Sequence, residues 1–138
     1  MLPLSISEAI AREEGFYVHG SRANRNNNPG NIEYGAFSRA FGSTHGDPRF
    51  AVFNSPDDGF KCLSTLLSKH YSGLTIAAAI AKWAPPTENN TAQYVLNVCA
   101  WTELTPDTII DGYIYARDNS PQSPAPTTTI SNSGGLVV

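Results

Sequence analysis

Two adjacent carboxylates, Glu13 and Glu14, stand at the end of a short run whose apolar positions recur at helical spacing. At about 100° per residue, Ile6, Ala9 and Ile10 define one face, with Glu13 near its middle and Glu14 on its edge beside Ile10. A carboxyl group facing apolar surroundings holds its proton to higher pH, and a general acid needs such a proton to protonate a glycosidic oxygen. Solvated acids at a helix end, with Glu13 bridging to Arg12 or Arg22, would have the same spacing. Glycoside hydrolysis normally needs a second carboxylate, about 5 to 5.5 Å away for retention and about 6.5 to 9.5 Å for inversion. Glu33, Asp47 and Glu88 are the candidates; Glu33, between Ile32 and Tyr34, also fits a solvent-facing strand residue.

Amides and rings surround these acids in the sequence. Asn27, Asn28 and Asn31 offer donors and acceptors suited to sugar hydroxyls and N-acetyl groups. Tyr34, Trp83 and Tyr94 have faces on which sugars could stack. Each has a purely structural reading too, because Asn-Pro-Gly is a turn and a ring at helical spacing belongs to a core; Trp83 is read as core. Cys62 and Cys99 lie within apolar helical patterns, so buried free thiols are expected rather than a Cys-His nucleophile. His19, His45 and His70 are scattered without metal-ligand spacing, and neither a metal nor a cofactor is expected. A net charge of −3 with dispersed Lys and Arg argues against nucleic acid as partner.

The elements that must position these residues are marked by caps. Ser5 with Glu8 forms a capping box for a first helix over residues 6–14, which Gly15 ends. A polar Gly/Asn/Arg stretch follows, and residues 31–34 and 49–53 read as a small antiparallel pair. Ser55-Pro56-Asp57-Asp58 starts a second helix with Phe60, Leu63, Leu66 and Leu67 as its stripe. Thr75 caps a third helix through Trp83, stopped by Pro85-Pro86. Asn90 or Thr91 caps a fourth, with Tyr94, Val95, Val98 and Trp101 inward, and Thr105-Pro106-Asp107 starts a short fifth carrying Ile109 and Ile110. The plan is one α+β domain, mostly helical, with a β hairpin after helix one.

The run AIAREEGFYVHGSRANRNNNPGNIEYG resembles the start of phage endolysins and bacterial muramidases with a lysozyme-like fold. In those proteins a helix, Glu-Gly-aromatic and an Asn-rich Pro-Gly-Asn loop come in this order. The block WAPPTENNTAQYVLNV resembles the same group, where an Asn-Thr sequence followed by Tyr-Val opens a helix lining the glycan cleft. The resemblance implies a peptidoglycan muramidase, cleaving the β-1,4 bond between N-acetylmuramic acid and N-acetylglucosamine. It makes Glu14 the acid; joined to the residue reading above, Glu33 is the favoured second carboxylate, and Asn27, Asn28, Asn31, Tyr34, Asn90, Thr91 and Tyr94 are expected to meet the glycan. Lytic transglycosylases show Glu-Ser-Gly-Phe instead, a pattern that would pick Glu13 and give 1,6-anhydro products from one glutamate. A noncatalytic glycan-binding or structural virion protein is the remaining alternative.

Residues 1–116 are thus expected to form the catalytic domain, acting as a monomer on cell-wall glycan in the periplasm or outside the cell. Residues 117–138, rich in Ser, Pro and Thr, are expected to form a flexible tail. No secretory signal is visible at the start, and no apolar run approaches the ~20 residues of a membrane span.

Overall fold

The computed structural model describes residues 3–114. Helix α1 (Ile6–Glu13) begins on the expected capping box: the Ser5 hydroxyl accepts from the Glu8 amide, and the Glu8 carboxylate accepts from the Ser5 amide, both at 3.1 Å. Glu14 is its C-cap, donating to the Ile10 carbonyl, and Gly15 turns the chain at φ +84°, a conformation that suits glycine. Ile6, Ala9, Ile10 and Ala11 are buried, which seats α1 in the core.

The Asn-rich stretch is ordered by its own side chains. Ser21 caps a four-residue helix, α2 (Arg22–Arg25), and Asn28 is wholly enclosed. The Asn28 amide donates to the Ile32 and Ala51 carbonyls and its oxygen accepts from the Ile32 amide, all at 2.9 Å. One asparagine therefore fastens the loop to the sheet.

The sheet differs in detail from the expected pair. Strands β1 (His45–Gly46) and β2 (Ala51–Val52) pair antiparallel, His45 opposite Val52 and Gly46 opposite Ala51. Residues 31–34 meet β2 through a single Glu33–Phe50 bridge flanked by Tyr34–Arg49 and Ala51–Ile32 backbone bonds. The reason is local: Asn31 sits at φ +48°, outside the extended region, and leaves too few residues for a ladder. A further four-residue helix, α3 (Ala36–Arg39), occupies the connection, with the Ser38 hydroxyl accepting from the Gly35 amide.

Three helices complete the molecule. Helix α4 (Pro56–His70) starts at the Ser55 cap with Pro56 in its first turn, and buries Phe60, Cys62, Leu63 and Leu67. Helices α5 (Ile76–Trp83) and α6 (Thr91–Thr102) start at Thr75 and Asn90, whose side chains accept from Ala78 and Gln93 amides. Helix α6 packs against both α1 and α5, and α1 also meets α4. Tyr94 and Val98 of α6 are buried, with Val95 and Trp101 half-buried against the same core.

The expected fifth helix is absent: residues 105–108 form a turn, and Ile109 then pairs with Thr75 as an antiparallel bridge. Ile110 is buried and Ile109 is 45% exposed, the period-two alternation of an extended segment. No described helix is long and apolar enough to cross a membrane. Among the described residues the architecture is mixed helical with one two-stranded antiparallel sheet. The tail proposed for residues 117–138 lies outside the described residues, as do the last residues of the expected domain.

Candidate active site

Glu14 is half-buried where α1 ends, and both of its carboxylate oxygens are occupied. The Tyr94 hydroxyl donates to one at 2.8 Å and the Asn31 side-chain amide donates to the other at 3.0 Å. Three separate elements meet there: the end of α1, the loop before the sheet, and α6. The ionisation of Tyr94 is pushed well above the usual tyrosine range, first by burial, then by the Glu14 charge and the hydrogen bond to it, and by Glu13. The Trp83 indole of α5 lies close enough to the Tyr94 hydroxyl to favour its ionised form, an effect smaller than those that oppose it. Tyr94 therefore stays a donor at neutral pH.

Glu13 faces a different partner. Its carboxylate accepts from the Asn97 amide at 2.9 Å, and Asn97 in turn accepts from Gln93 at 2.8 Å. Tyr94 and Asn97 are three residues apart on α6, one helical turn, so one face of α6 holds both glutamates. That spacing was present in the sequence and marks Asn97 as a site residue that motif reading left out.

The remaining amides are placed as follows. Asn28 is fully buried with its amide committed to backbone, leaving nothing for a sugar; enclosure corrects its reading as a glycan contact. Asn27 sits at φ +53° and donates to the Phe53 carbonyl at 3.0 Å, a bond that anchors the turn. Asn31 turns its amide to Glu14, which leaves its side-chain oxygen buried without a partner. A buried acceptor that no water reaches costs roughly 1–3 kcal/mol. Asn90 caps α6, and the Thr91 hydroxyl donates to the Ala84 carbonyl, so both serve the helix start.

The rings separate by exposure. Tyr94 is 4% exposed and offers no face for stacking; only its hydroxyl reaches the site. Trp83 packs edge-on against Tyr71 beside the core. Tyr34 is 37% exposed with the Arg39 guanidinium 5.5 Å from its ring centre. Tyr17 and Val18, at 51% and 62%, project from the turn directly after Gly15.

None of the candidate second carboxylates shares a hydrogen-bond partner with Glu14 among the described residues. Glu33 pairs with Arg49 at 3.4 Å and its side chain is 68% exposed. Asp47 pairs with Arg25 at 3.2 Å, and Glu88 is exposed in the turn after Pro85. Burial pushes the Cys62 thiol up to about 12, far from a nucleophilic thiolate at neutral pH, and raises Cys99 as well. A groove of about 510 Å³ along α4, lined by residues including Ser64, Ser68, Lys69 and Asp111, lies away from this site.

No family model matches the chain. It is similar to Protein P5 of Pseudoalteromonas phage PM2, 33% identical over 102 residues that cover 69% of this chain and 57% of Protein P5. The chain thus spans little more than half the length of that relative.

Proposed function

We propose that this chain is a peptidoglycan-cleaving glycosidase with a lysozyme-like fold, in which Glu14 protonates the β-1,4 glycosidic oxygen between N-acetylmuramic acid and N-acetylglucosamine. The observation that carries this reading is the Glu14 carboxyl group itself, half-buried and held through both oxygens by Tyr94 and Asn31. A general acid must be oriented before the substrate arrives, and two donors from different elements do that. After the proton leaves, the same donors face the carboxylate that remains. The place of action is the bacterial cell wall, and the glycan strand is the partner.

A specific observation favours a second reading of the product. Glu33 and Asp47 are each engaged by an arginine, which draws their carboxylates away from acting as base or nucleophile. A single glutamate would then serve first as acid and afterwards as base, with the muramic 6-hydroxyl replacing water. The product would be a 1,6-anhydro sugar, lytic transglycosylation rather than hydrolysis.

Both readings meet one experiment: purified cell walls are incubated with the protein, turbidity is followed, and soluble products are weighed by mass spectrometry. Glu14→Gln is expected to fold and to lose a factor on the order of 10² to 10⁴ in rate. Glu13→Gln keeps an oxygen for Asn97 and should retain most activity. Reversal of the two results moves the acid to Glu13, and products one water lighter than a reducing sugar select transglycosylation. Walls left intact by the folded wild-type protein leave a noncatalytic glycan-binding role.

A further inference from the structure

Charge is unevenly spread over this chain. Residues 15–53 carry four arginines against two carboxylates, a formal +2 inside a chain of net −3. The guanidinium groups do not scatter over that region. Arg22 lies 4.4 Å and Arg49 4.7 Å from the centre of the same ring, Phe50, while Arg39 lies over Tyr34. All four arginines are exposed.

Two like charges sharing one ring repel, and local acids offset only part of this. Glu33 answers Arg49 and Asp47 answers Arg25, whereas Arg22 and Arg39 have no carboxylate within ion-pair distance among the described residues. A guanidinium over an aromatic face is held in place while the N–H donors at its edge stay open to an incoming group. The fork they present matches a carboxylate through two parallel hydrogen bonds.

The cluster is tied to the Glu14 site at two points. Arg22 follows Ser21, whose hydroxyl donates to the Gly15 carbonyl at 2.6 Å. Phe50 bridges to Glu33, two residues beyond the Asn31 that holds Glu14. A glycan strand engaged at Glu14 would carry its substituents along this face.

We infer that Arg22 and Arg49 around Phe50, extended by Arg39 on Tyr34, form a carboxylate-binding surface for the anionic peptide stems of peptidoglycan. The inference rests on the proposed glycan substrate and specifies the form that is preferred: strands still bearing their peptides. Binding is electrostatic at an exposed face, so it weakens as salt rises.

The test measures dissociation constants by calorimetry for the full chain at low salt, in the cold. The probes are soluble uncross-linked glycan strands with their stems, the same strands stripped by an amidase with the lactyl carboxylates so exposed converted to amides, and stem-bearing strands whose carboxylates have been converted to amides. Stem-bearing strands are expected to bind on the order of five- to tenfold more tightly than stripped ones, the sum of two exposed charge pairs. Amide conversion should remove the difference, as should Arg22→Gln with Arg49→Gln, while affinity for stripped strands stays as in the wild type. Equal wild-type affinity for all three probes, no binding to any, or a preference that survives the double substitution overturns the inference. If the double variant does not fold, Arg22→Gln alone decides, because Arg22 has no carboxylate to lose; an unchanged preference then overturns it. Cleavage of stripped strands is assayed in parallel. Cleavage without stem preference removes this inference and leaves the glycosidase reading, and stem preference without cleavage does the reverse.

Discussion

At the scale of single residues, Glu14 and Glu13 share a helix end but differ in their partners. Glu14 meets a phenol and an amide, whereas Glu13 meets the Asn97 amide alone. Tyr94 touches Glu14 and offers no ring to solvent, which makes it a positioning residue rather than a sugar platform. Tyr94→Phe keeps the buried ring while removing one hold on the carboxyl group. We expect kcat on cell walls to fall on the order of ten- to a hundredfold, as misplacement of a reacting group does. KM should stay unchanged because no sugar contact is lost. A raised KM with normal kcat would show that the hydroxyl binds substrate after all.

Among the elements, the loop between α2 and the sheet carries the Asn31 hold on Glu14, and Asn28 fixes that loop. Its amide makes three buried bonds to the backbone of residues 32 and 51, where water is excluded. Asn28→Ala would leave the Ala51 carbonyl and the Ile32 amide without partners, and would leave the Ile32 carbonyl with the Ala51 amide alone. The expected loss is about 2 kcal/mol or more of unfolding free energy, given roughly 1–3 kcal/mol for each stranded group. Urea denaturation measures it directly. A loss below about 1 kcal/mol would mean that water replaces the side chain at no great cost. Because Asn31 shares the loop, the same variant is expected to lose activity at temperatures where it remains folded.

At the scale of the whole molecule, five acidic groups among the described residues ionise less readily when folded. Burial raises Cys62, Cys99, Tyr71 and Tyr113, and burial with Glu14 raises Tyr94. Above the unfolded pKa values, about 8.5 for Cys and 10 for Tyr, the unfolded chain holds fewer of these protons than the native one, so stability falls as pH rises. The contribution is fully present below about pH 8 and is lost progressively through the alkaline range as pH passes those unfolded values. Urea midpoints measured from neutral to strongly alkaline pH should decline accordingly, and Cys62→Ala should flatten the first part of the decline. An unaltered slope in that variant would remove Cys62 from the account.

Much of the helical plan was legible because its signals are local. Ser5, Ser55, Thr75 and Asn90 each accept from a backbone amide three residues on, a contact within covalent reach, and the apolar stripes behind them follow the helical period. The Thr105-Pro106-Asp107 signal was equally local but was overridden when Ile109 and Ile110 paired beside Thr75. The sheet register also escaped, because it depends on Asn28 reaching Ala51, 23 residues away. At the site, the Glu-Glu-Gly pattern marked two carboxylates without separating them. Tyr94 lies 80 residues from Glu14, and Asn97 lies 84 from Glu13. Which ring or amide meets which acid depends on how α6 seats against α1. That is a matter of packing between surfaces, which no local spacing encodes.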